Sequence, residues 1–228
     1  MSSKKEIRPI AKIRTDFGSK FGVPRQSGIV DELCSEIVFE PEFSADEAVR
    51  GLTEFSHIWV IWGFSEARYN GALTVRPPRL GGNKRMGVFA TRSPFRPNGL
   101  GLSSLRLISA QKRENVGTVL TVSGADMTDG TPIYDIKPYL PYTDSHPDAV
   151  GGFADPLVGD RLKVEFPDEL LLTVPSEKRE ALIAVLRQDP RPAYQDDPSR
   201  EYGFSFGGFE VEFTVKEDTL TVFRVTKK

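Results

Sequence analysis

Apolar and polar residues alternate along much of this chain at the two-residue period of a half-buried strand. The alternation is clear over residues 6–14, and a short β-type run follows at 36–40. Residues 56–64 are apolar nearly throughout and hold both tryptophans, a pattern that predicts a strand buried on both faces. Further strands are predicted at 87–91, at 100–110 and 116–123 around the polar turn Lys112–Asn115, and at 133–139. Strands this short and this dense predict a sandwich or barrel. One helix interrupts them: Ser44-Ala45-Asp46-Glu47 has the form of a capping box, with the helix running to Arg50 and stopped by Gly51.

The second half reads differently. Residues 141–160 are rich in Pro, Gly and Asp and predict a connecting stretch. A strand at 161–166 is followed by an amphipathic helix at 176–188, with Leu182, Ile183, Val185 and Leu186 on its apolar side and Pro190-Arg191-Pro192 stopping it. Residues 209–215 and 219–225 alternate cleanly around Lys216-Glu217-Asp218 and predict a hairpin. The expected fold is mainly β: a small β-barrel over residues 1–145, a linker at 146–160, and a smaller α+β domain over 161–228.

Composition narrows the chemistry. Cys34 is the sole cysteine and His57 and His146 the sole histidines, which excludes an intrachain disulfide and a cysteine-based zinc site and leaves no expected metal. No apolar run approaches the ~20 residues that span a bilayer, and residues 1–10 lack the apolar stretch of a secretory signal, so a cytoplasmic protein is expected. The net charge of −2 conceals a segregation. Residues 67–113 contain no Asp or Glu but ten basic residues, while the rest of the chain carries 20 basic against 32 acidic residues. A positive region on a negative body attracts phosphates and discourages nonspecific polyanion contact elsewhere. The plain alternative is a solvated face.

Three segments concentrate functional groups. Arg76-Pro77-Pro78-Arg79-Leu80-Gly81-Gly82-Asn83-Lys84-Arg85-Met86-Gly87 is basic, rigid at its proline end and permissive at its glycines, so backbone N–H groups can turn toward an anion. It has neither P-loop nor dinucleotide-fingerprint spacing. Ala90-Thr91-Arg92-Ser93-Pro94-Phe95-Arg96-Pro97-Asn98-Gly99 sets two arginines four apart with Phe95 between them, which suits bidentate contacts to carboxylate or phosphate and stacking on a nucleoside. The stretch from Asp126 to Tyr139 holds Asp126, Asp129 and Asp135 around the turn Asp129-Gly130; its carboxylates suit ribose hydroxyls or a cationic ligand, and equally an Asx-turn with solvated acids. His57, inside an apolar run, reads as a satisfied core or interface residue, and Gln188–Tyr194 as a helix stop.

Together these segments resemble the TsaA/TrmO family of tRNA methyltransferases. The likeness runs in order through Val23-Pro24-Arg25-Gln26, Ala48-Val49-Arg50-Gly51-Leu52, Phe55-Ser56-His57-Ile58-Trp59, the stretch from Arg76 to Pro97, Asp129-Gly130-Thr131-Pro132 with residues 135–142, and residues 188–194. The resemblance implies a homodimeric, barrel-based enzyme. Its cofactor would be S-adenosylmethionine. Its substrate would be the anticodon stem-loop of tRNA reading ACY codons, methylated at N6 of N6-threonylcarbamoyladenosine. By position it implies cofactor contacts at Pro24, Arg25, Gln26, Ser65, Glu66, Arg92, Leu102, Asp126, Met127, Thr128 and Asp129. Asp129 and Asp135 are the candidate general bases, and Arg76, Arg79, Lys84, Arg85 and Arg96 the candidate RNA contacts. Two places depart from the family pattern: Ser65-Glu66 stands where relatives often carry His-Gln, and Gly99-Leu100 where they often carry Pro-Ile. Two other readings of the same residues are a non-catalytic RNA-binding barrel that recognises modified tRNA, and a metal-dependent hydrolase of small nucleotides.

Overall fold

The computed structural model describes residues 6–77, 80, 83–157, 162–191 and 197–228, with the backbone alone at 155–157. Its first half contains β1 (Ala11–Arg14), β2 (Cys34–Phe39), β3 (His57–Gly63), β4 (Thr74–Val75), β5 (Met86–Gly87), β6 (Leu100–Arg113), β7 (Gly117–Ser123) and β8 (Pro132–Pro138). Six of these pair in the order β1-β2-β7-β6-β3-β8, and β8 returns antiparallel to β1, so the sheet closes as a barrel. Strands β4 and β5 form a separate two-stranded ribbon. Closure removes the unpaired edges of the six-stranded sheet.

The inward face of the barrel carries Ala11, Ile13, Ile37, Ile58, Val60, Leu105, Leu120, Val122, Met127 and Ile133, all buried. Burying each large member contributes roughly 1.5–3 kcal/mol, and alternation places the strand residues among them on one side of their strands.

After β8 come α1 (Pro141–Asp144), a 3-10 turn at Gly152–Leu157, β9 (Lys163–Glu165), α2 (Asp168–Leu171), α3 (Ser176–Arg187), β10 (Tyr202–Phe206), β11 (Phe209–Lys216) and β12 (Thr219–Lys227). The second sheet runs β10-β11-β12-β9, with β9 parallel to β12. Helix α3 packs Leu182, Val185 and Leu186 against Phe204, Phe206, Val211, Phe213, Leu220 and Val222.

This second core also takes in residues from the first half. Phe17, Val30 and Leu33, from the connection between β1 and β2, are buried in it, with Phe21 and Val23 packed alongside. Gly22, at φ +89°, lies so close to Phe204 that a Cβ there would stand 2.3 Å from the ring. Lys178 of α3 pairs with Asp16, and Gly207 N–H donates to the Asp16 carbonyl at 2.8 Å. A segment between two barrel strands is therefore mounted on the second unit.

Several sequence expectations are corrected. Residues 87–91 are a strand only at Gly87; Val88–Ala90 is a 3-10 turn, closed by the Thr91 N–H and hydroxyl donating to the Val88 carbonyl. The helix after Ser44 is a single 3-10 turn, Asp46–Val49, flanked by Ala45; the Ser44 hydroxyl instead donates back to the Pro41 carbonyl at 3.0 Å. Ser44 is held in place by β7, where Thr118 N–H donates to its carbonyl at 2.8 Å and Gly117 packs against its side chain. Strand β3 is not buried on both faces: Ile58, Val60 and Trp62 face the core, while His57, Trp59 and Ile61 are only partly covered.

Candidate cofactor site

Gln26, Arg92 and Asp126 meet at one end of the barrel, where the β1–β2 connection, the loop from Thr91 to Gly99, β6 and the chain leaving β7 converge. Pro24 is buried, and Arg25 reaches across to the second unit, donating from Nη2 to the carbonyls of Asp189 at 3.4 Å and Arg191 at 3.0 Å. Gln26 turns the other way. Its amide oxygen accepts from Arg92 Nη1, and its amide nitrogen donates to the Arg25 carbonyl. Arg92 is thereby placed within electrostatic range of Asp126.

Asp126 follows β7 and is partly buried. Its Oδ1 accepts from the Ser103 hydroxyl at 2.6 Å, and Ser103 Oγ accepts from Trp62 Nε1 at 2.9 Å. Burial pushes the Asp126 carboxyl above its ordinary value. The Ser103 hydroxyl, the backbone at Asp126 and Ser27, and the Arg92 charge pull it the other way. Burial dominates, so this carboxylate gains from a cationic or hydroxyl-bearing partner.

The rest of the acidic turn is structural. Met127 is 1% exposed and belongs to the barrel core, so its side chain is not open to a ligand. Thr128 faces Thr131, their hydroxyls 3.2 Å apart. Asp129 Oδ1 accepts from Thr15 N–H at 3.1 Å and Oδ2 from Arg14 at 3.3 Å. These contacts tie the end of β1 to the turn before β8 and occupy both oxygens.

Asp135 and Leu102 sit elsewhere. In the sheet register Asp135 lies opposite Ile61, and Ile61 opposite Leu102, so the three form one row across β8, β3 and β6. Leu102 is 56% exposed, whereas the next residue, Ser103, is 1% exposed. Neighbours in a strand point to opposite faces. Leu102 is therefore outside the barrel and Ser103 inside, next to Asp126. Asp135 pairs with Lys137 at 2.9 Å and accepts from Ile136 N–H at 3.0 Å.

Ser65 lines a cleft of about 240 Å³ with Phe64, Tyr69, Arg96, Asn98 and Tyr134, and Glu66 is exposed beside it. Phe64 stands in edge contact with Trp62, 4.4 Å between ring centroids, so the cleft adjoins the Trp62–Ser103–Asp126 chain. Gly101 makes room for that indole: a Cβ there would lie 2.3 Å from the Trp62 ring. Sequence reasoning missed Ser103 and Trp62. The available signal was a serine in a strand whose inward positions are otherwise aliphatic, and a tryptophan whose N–H needs a partner.

Among the basic candidates, Arg76, Lys84 and Arg85 are exposed, with Arg85 donating to Thr74 Oγ1 at 3.0 Å. Arg96 donates to the Thr91 carbonyl at 3.3 Å and so braces its own loop. Arg79 lies outside the described residues. Phe89 and Phe95 are 76% and 49% exposed on the same acid-free span, while Val88, 1% exposed, anchors the turn that presents Phe89.

Among the described residues no group of three His, Cys, Asp or Glu is placed to hold a metal ion, and no helix is long and apolar enough to cross a membrane.

A closed antiparallel sheet joined to a small α+β unit has counterparts among tRNA methyltransferases. A family model described as the tRNA-methyltransferase O N-terminal domain matches residues 12–145, and the TrmO C-terminal domain model matches residues 159–228. This chain belongs to the TrmO family. It is 40% identical to the tRNA (adenine(37)-N6)-methyltransferase of Escherichia coli (strain K12), over 96% of both chains. It is 39% identical, over 91% of both chains, to a protein of Pseudomonas aeruginosa named provisionally as an S-adenosylmethionine-dependent methyltransferase, RcsF. The crystal structure of TrmO from Pseudomonas aeruginosa superposes with a TM-score of 0.78 at 32% identity, covering 98% of this chain and 100% of that one.

Proposed function

We propose that this protein transfers the methyl group of S-adenosylmethionine to N6 of the adenine at position 37 of tRNA, using the closed sheet as a small cofactor-binding barrel. In the finer reading, the adenine already carries an N6-threonylcarbamoyl group, the tRNA reads ACY codons, and the reaction takes place in the cytoplasm. Residues 1–145 form the methyltransferase domain and 161–228 the smaller C-terminal domain.

The observation that carries this reading is the meeting of Asp126, Arg92 and Gln26 at the barrel end beside an acid-free basic surface. Their chemistry fits the cofactor. A carboxylate complements its ammonium group or ribose hydroxyls, a guanidinium its carboxylate, and an amide can serve either. When bound, S-adenosylmethionine supplies an electrophilic methyl on a sulfonium. The chain's task is alignment, since holding donor and acceptor about 3–3.5 Å apart accounts for much of the rate in such displacements. Asp126, Arg92 and Gln26 orient one end of the donor, and Ser65 in the adjoining cleft borders the path to it. The acceptor nitrogen is a weak nucleophile until it loses its proton, so a base is required. Asp129 and Asp135 are the candidates for that role; Asp129 is braced by Arg14 and Thr15, and Asp135 by Lys137 and the Ile136 N–H.

Leu102 points outside the barrel, whereas Asp126 bonds to Ser103 on its inside. We therefore read the protein as a homodimer in which the partner's outer sheet face, bearing Leu102, Ile61 and Asp135, closes over the site. Arg76, Lys84 and Arg85 contact the backbone of the anticodon stem-loop, and Phe89 and Phe95 present stacking faces to its unpaired bases.

The decisive experiment is mass spectrometry of tRNA nucleosides after incubation of the purified protein with S-adenosylmethionine. A gain of one methyl on N6-threonylcarbamoyladenosine is the expected product. An unmodified nucleoside pool would reject the activity.

A further inference from the structure

The Trp62–Ser103–Asp126 chain has a direction that its chemistry fixes. An indole N–H can only donate, so Ser103 Oγ, 2.9 Å from Trp62 Nε1, must accept there. Ser103 has one proton, and with its oxygen engaged by the indole that proton is free to point at Asp126 Oδ1, 2.6 Å away. Asp126 Oδ1 is thus an obligatory acceptor, and any proton the carboxyl takes up must sit on Oδ2. The register places these groups firmly: Ser103 pairs with Val60, and Gly101 pairs with Trp62 and leaves space for its ring. Ser103 and Trp62 are 1% and 7% exposed, so water does not compete for these bonds.

We propose that Ser103, oriented by Trp62, is a positioning residue for methyl transfer: it holds Asp126 with Oδ1 bound to the barrel and Oδ2 turned to the cofactor. The inference rests on the reading of Asp126 as a cofactor contact. Arg92 is the charged side chain whose field reaches this carboxylate; the β1–β2 connection contributes the Ser27 backbone, and β6 and β3 contribute the neutral Ser103 and Trp62. Removing the Ser103 proton donor removes a stabiliser of the charged carboxylate, leaving burial less opposed. Cofactor binding that needs the carboxylate is then lost at a higher pH as the solution is acidified.

The test is calorimetric titration of the full-length protein with S-adenosylmethionine across the acid and neutral range. The variants are Ser103→Ala, Ser103→Thr, Asp126→Asn and the double change Trp62→Phe with Ser103→Ala. The double variant removes donor and acceptor together, so it leaves no buried indole N–H unpaired and guards against a failure to fold. Asp126→Asn is expected to lose binding at all pH values. Ser103→Ala and the double variant are expected to bind about tenfold more weakly near neutrality, the scale of a lost hydrogen bond to a charged group, with their acid limb moved to higher pH. Ser103→Thr keeps the hydroxyl and is expected to follow the wild-type pH profile. If Asp126→Asn weakens binding while Ser103→Ala superimposes on wild type, the positioning role is overturned and the cofactor site stands. If Asp126→Asn binds as well as wild type, the assignment of Asp126 fails and the inference falls with it.

Discussion

Arg25 Nη2 donates to the backbone carbonyl of Arg191 at 3.0 Å, a contact across 166 positions of sequence that joins the β1–β2 connection to the C-terminal unit. Arg191 is itself fixed by its neighbour: Asp189, in the left-handed region at φ 52°, accepts from Arg191 Nε and Nη2 at 2.8 and 2.9 Å. Asp189→Gly suits that backbone but deletes the carboxylate. It is expected to weaken S-adenosylmethionine binding several-fold with little loss of thermal stability, and Arg25→Ala to weaken it further. Titration calorimetry beside thermal melts checks both, and unchanged affinity in both variants would detach the 188–191 loop from the site.

Asp126 sets function against stability. Burial raises its folded-state pKa above the unfolded value, so the ionised form opposes folding at pH values above that raised pKa, and this penalty fades as pH falls through it. Asp126→Asn removes the charge while its side-chain oxygen can still accept from Ser103. The variant is expected to melt higher than wild type at neutral pH; a gain of about 1 kcal/mol corresponds to roughly 2–4 °C for a chain of this size. The difference should shrink in acid. A lower melting temperature at neutral pH would contradict the burial argument.

The basic face has a quantitative signature. Lys84→Glu with Arg85→Glu should weaken tRNA binding and reduce the log–log salt slope by roughly two, about one for each phosphate no longer neutralised. Phe89→Ala should weaken binding with no change in that slope, because stacking releases no counterions. Filter binding over a salt series separates the two. An unaltered slope in the double variant would move the RNA elsewhere.

Trp59 reports on a different junction. Its Nε1 donates to Asp144 Oδ2 at 2.8 Å, and the same oxygen accepts from Leu140 N–H at 2.9 Å, fastening α1 to the outer face of β3. The Leu140 N–H, the Trp59 indole and the charge of His146 hold the Asp144 carboxyl below the usual value. A depressed carboxylate stabilises above its unfolded pKa and loses that contribution as pH falls through the folded one. The Trp59 indole proton should therefore shift only in acid below the ordinary aspartate range, followed by NMR. In Asp144→Asn that transition should be missing.

Leu102→Arg places a charge on the outer face of β6 without touching the barrel core. In the homodimer proposed above, it is expected to halve the molar mass measured by light scattering and to reduce methylation strongly while leaving the fold intact. A wild-type protein of monomer mass would reject the homodimer, and a variant that keeps a dimer's mass would move its interface to another surface.

What the sequence disclosed, and what it hid, follows from the range of the forces involved. The hairpin β11–β12 was legible because alternation is local, and Val211, Phe213, Val215, Leu220 and Val222 all face one core. Strand β10 was passed over because Gly203 and Ser205 separate its aromatics and weaken the strand signal, although Tyr202, Phe204 and Phe206 are buried. The pattern of residues 15–33 could show apolar positions but not which core receives them. At the site, Arg92 and Asp126 were visible as types in a context. The restraint of Asp129 by Arg14 was hidden, because it depends on β1 and β8 becoming neighbours when the barrel closes.

The burial of Phe17, Val30 and Leu33 in the second core bears on the order of synthesis. A ribosome releases the β1–β2 connection early, yet the surface it settles on is built by α3 and β10 to β12, which come much later in the chain. Domains that fold as they emerge would normally let the first half finish by itself. Here the apolar side chains of the β1–β2 connection find their partners only once α3 and β10 to β12 have been made, so the first half cannot bury all of its own apolar surface alone.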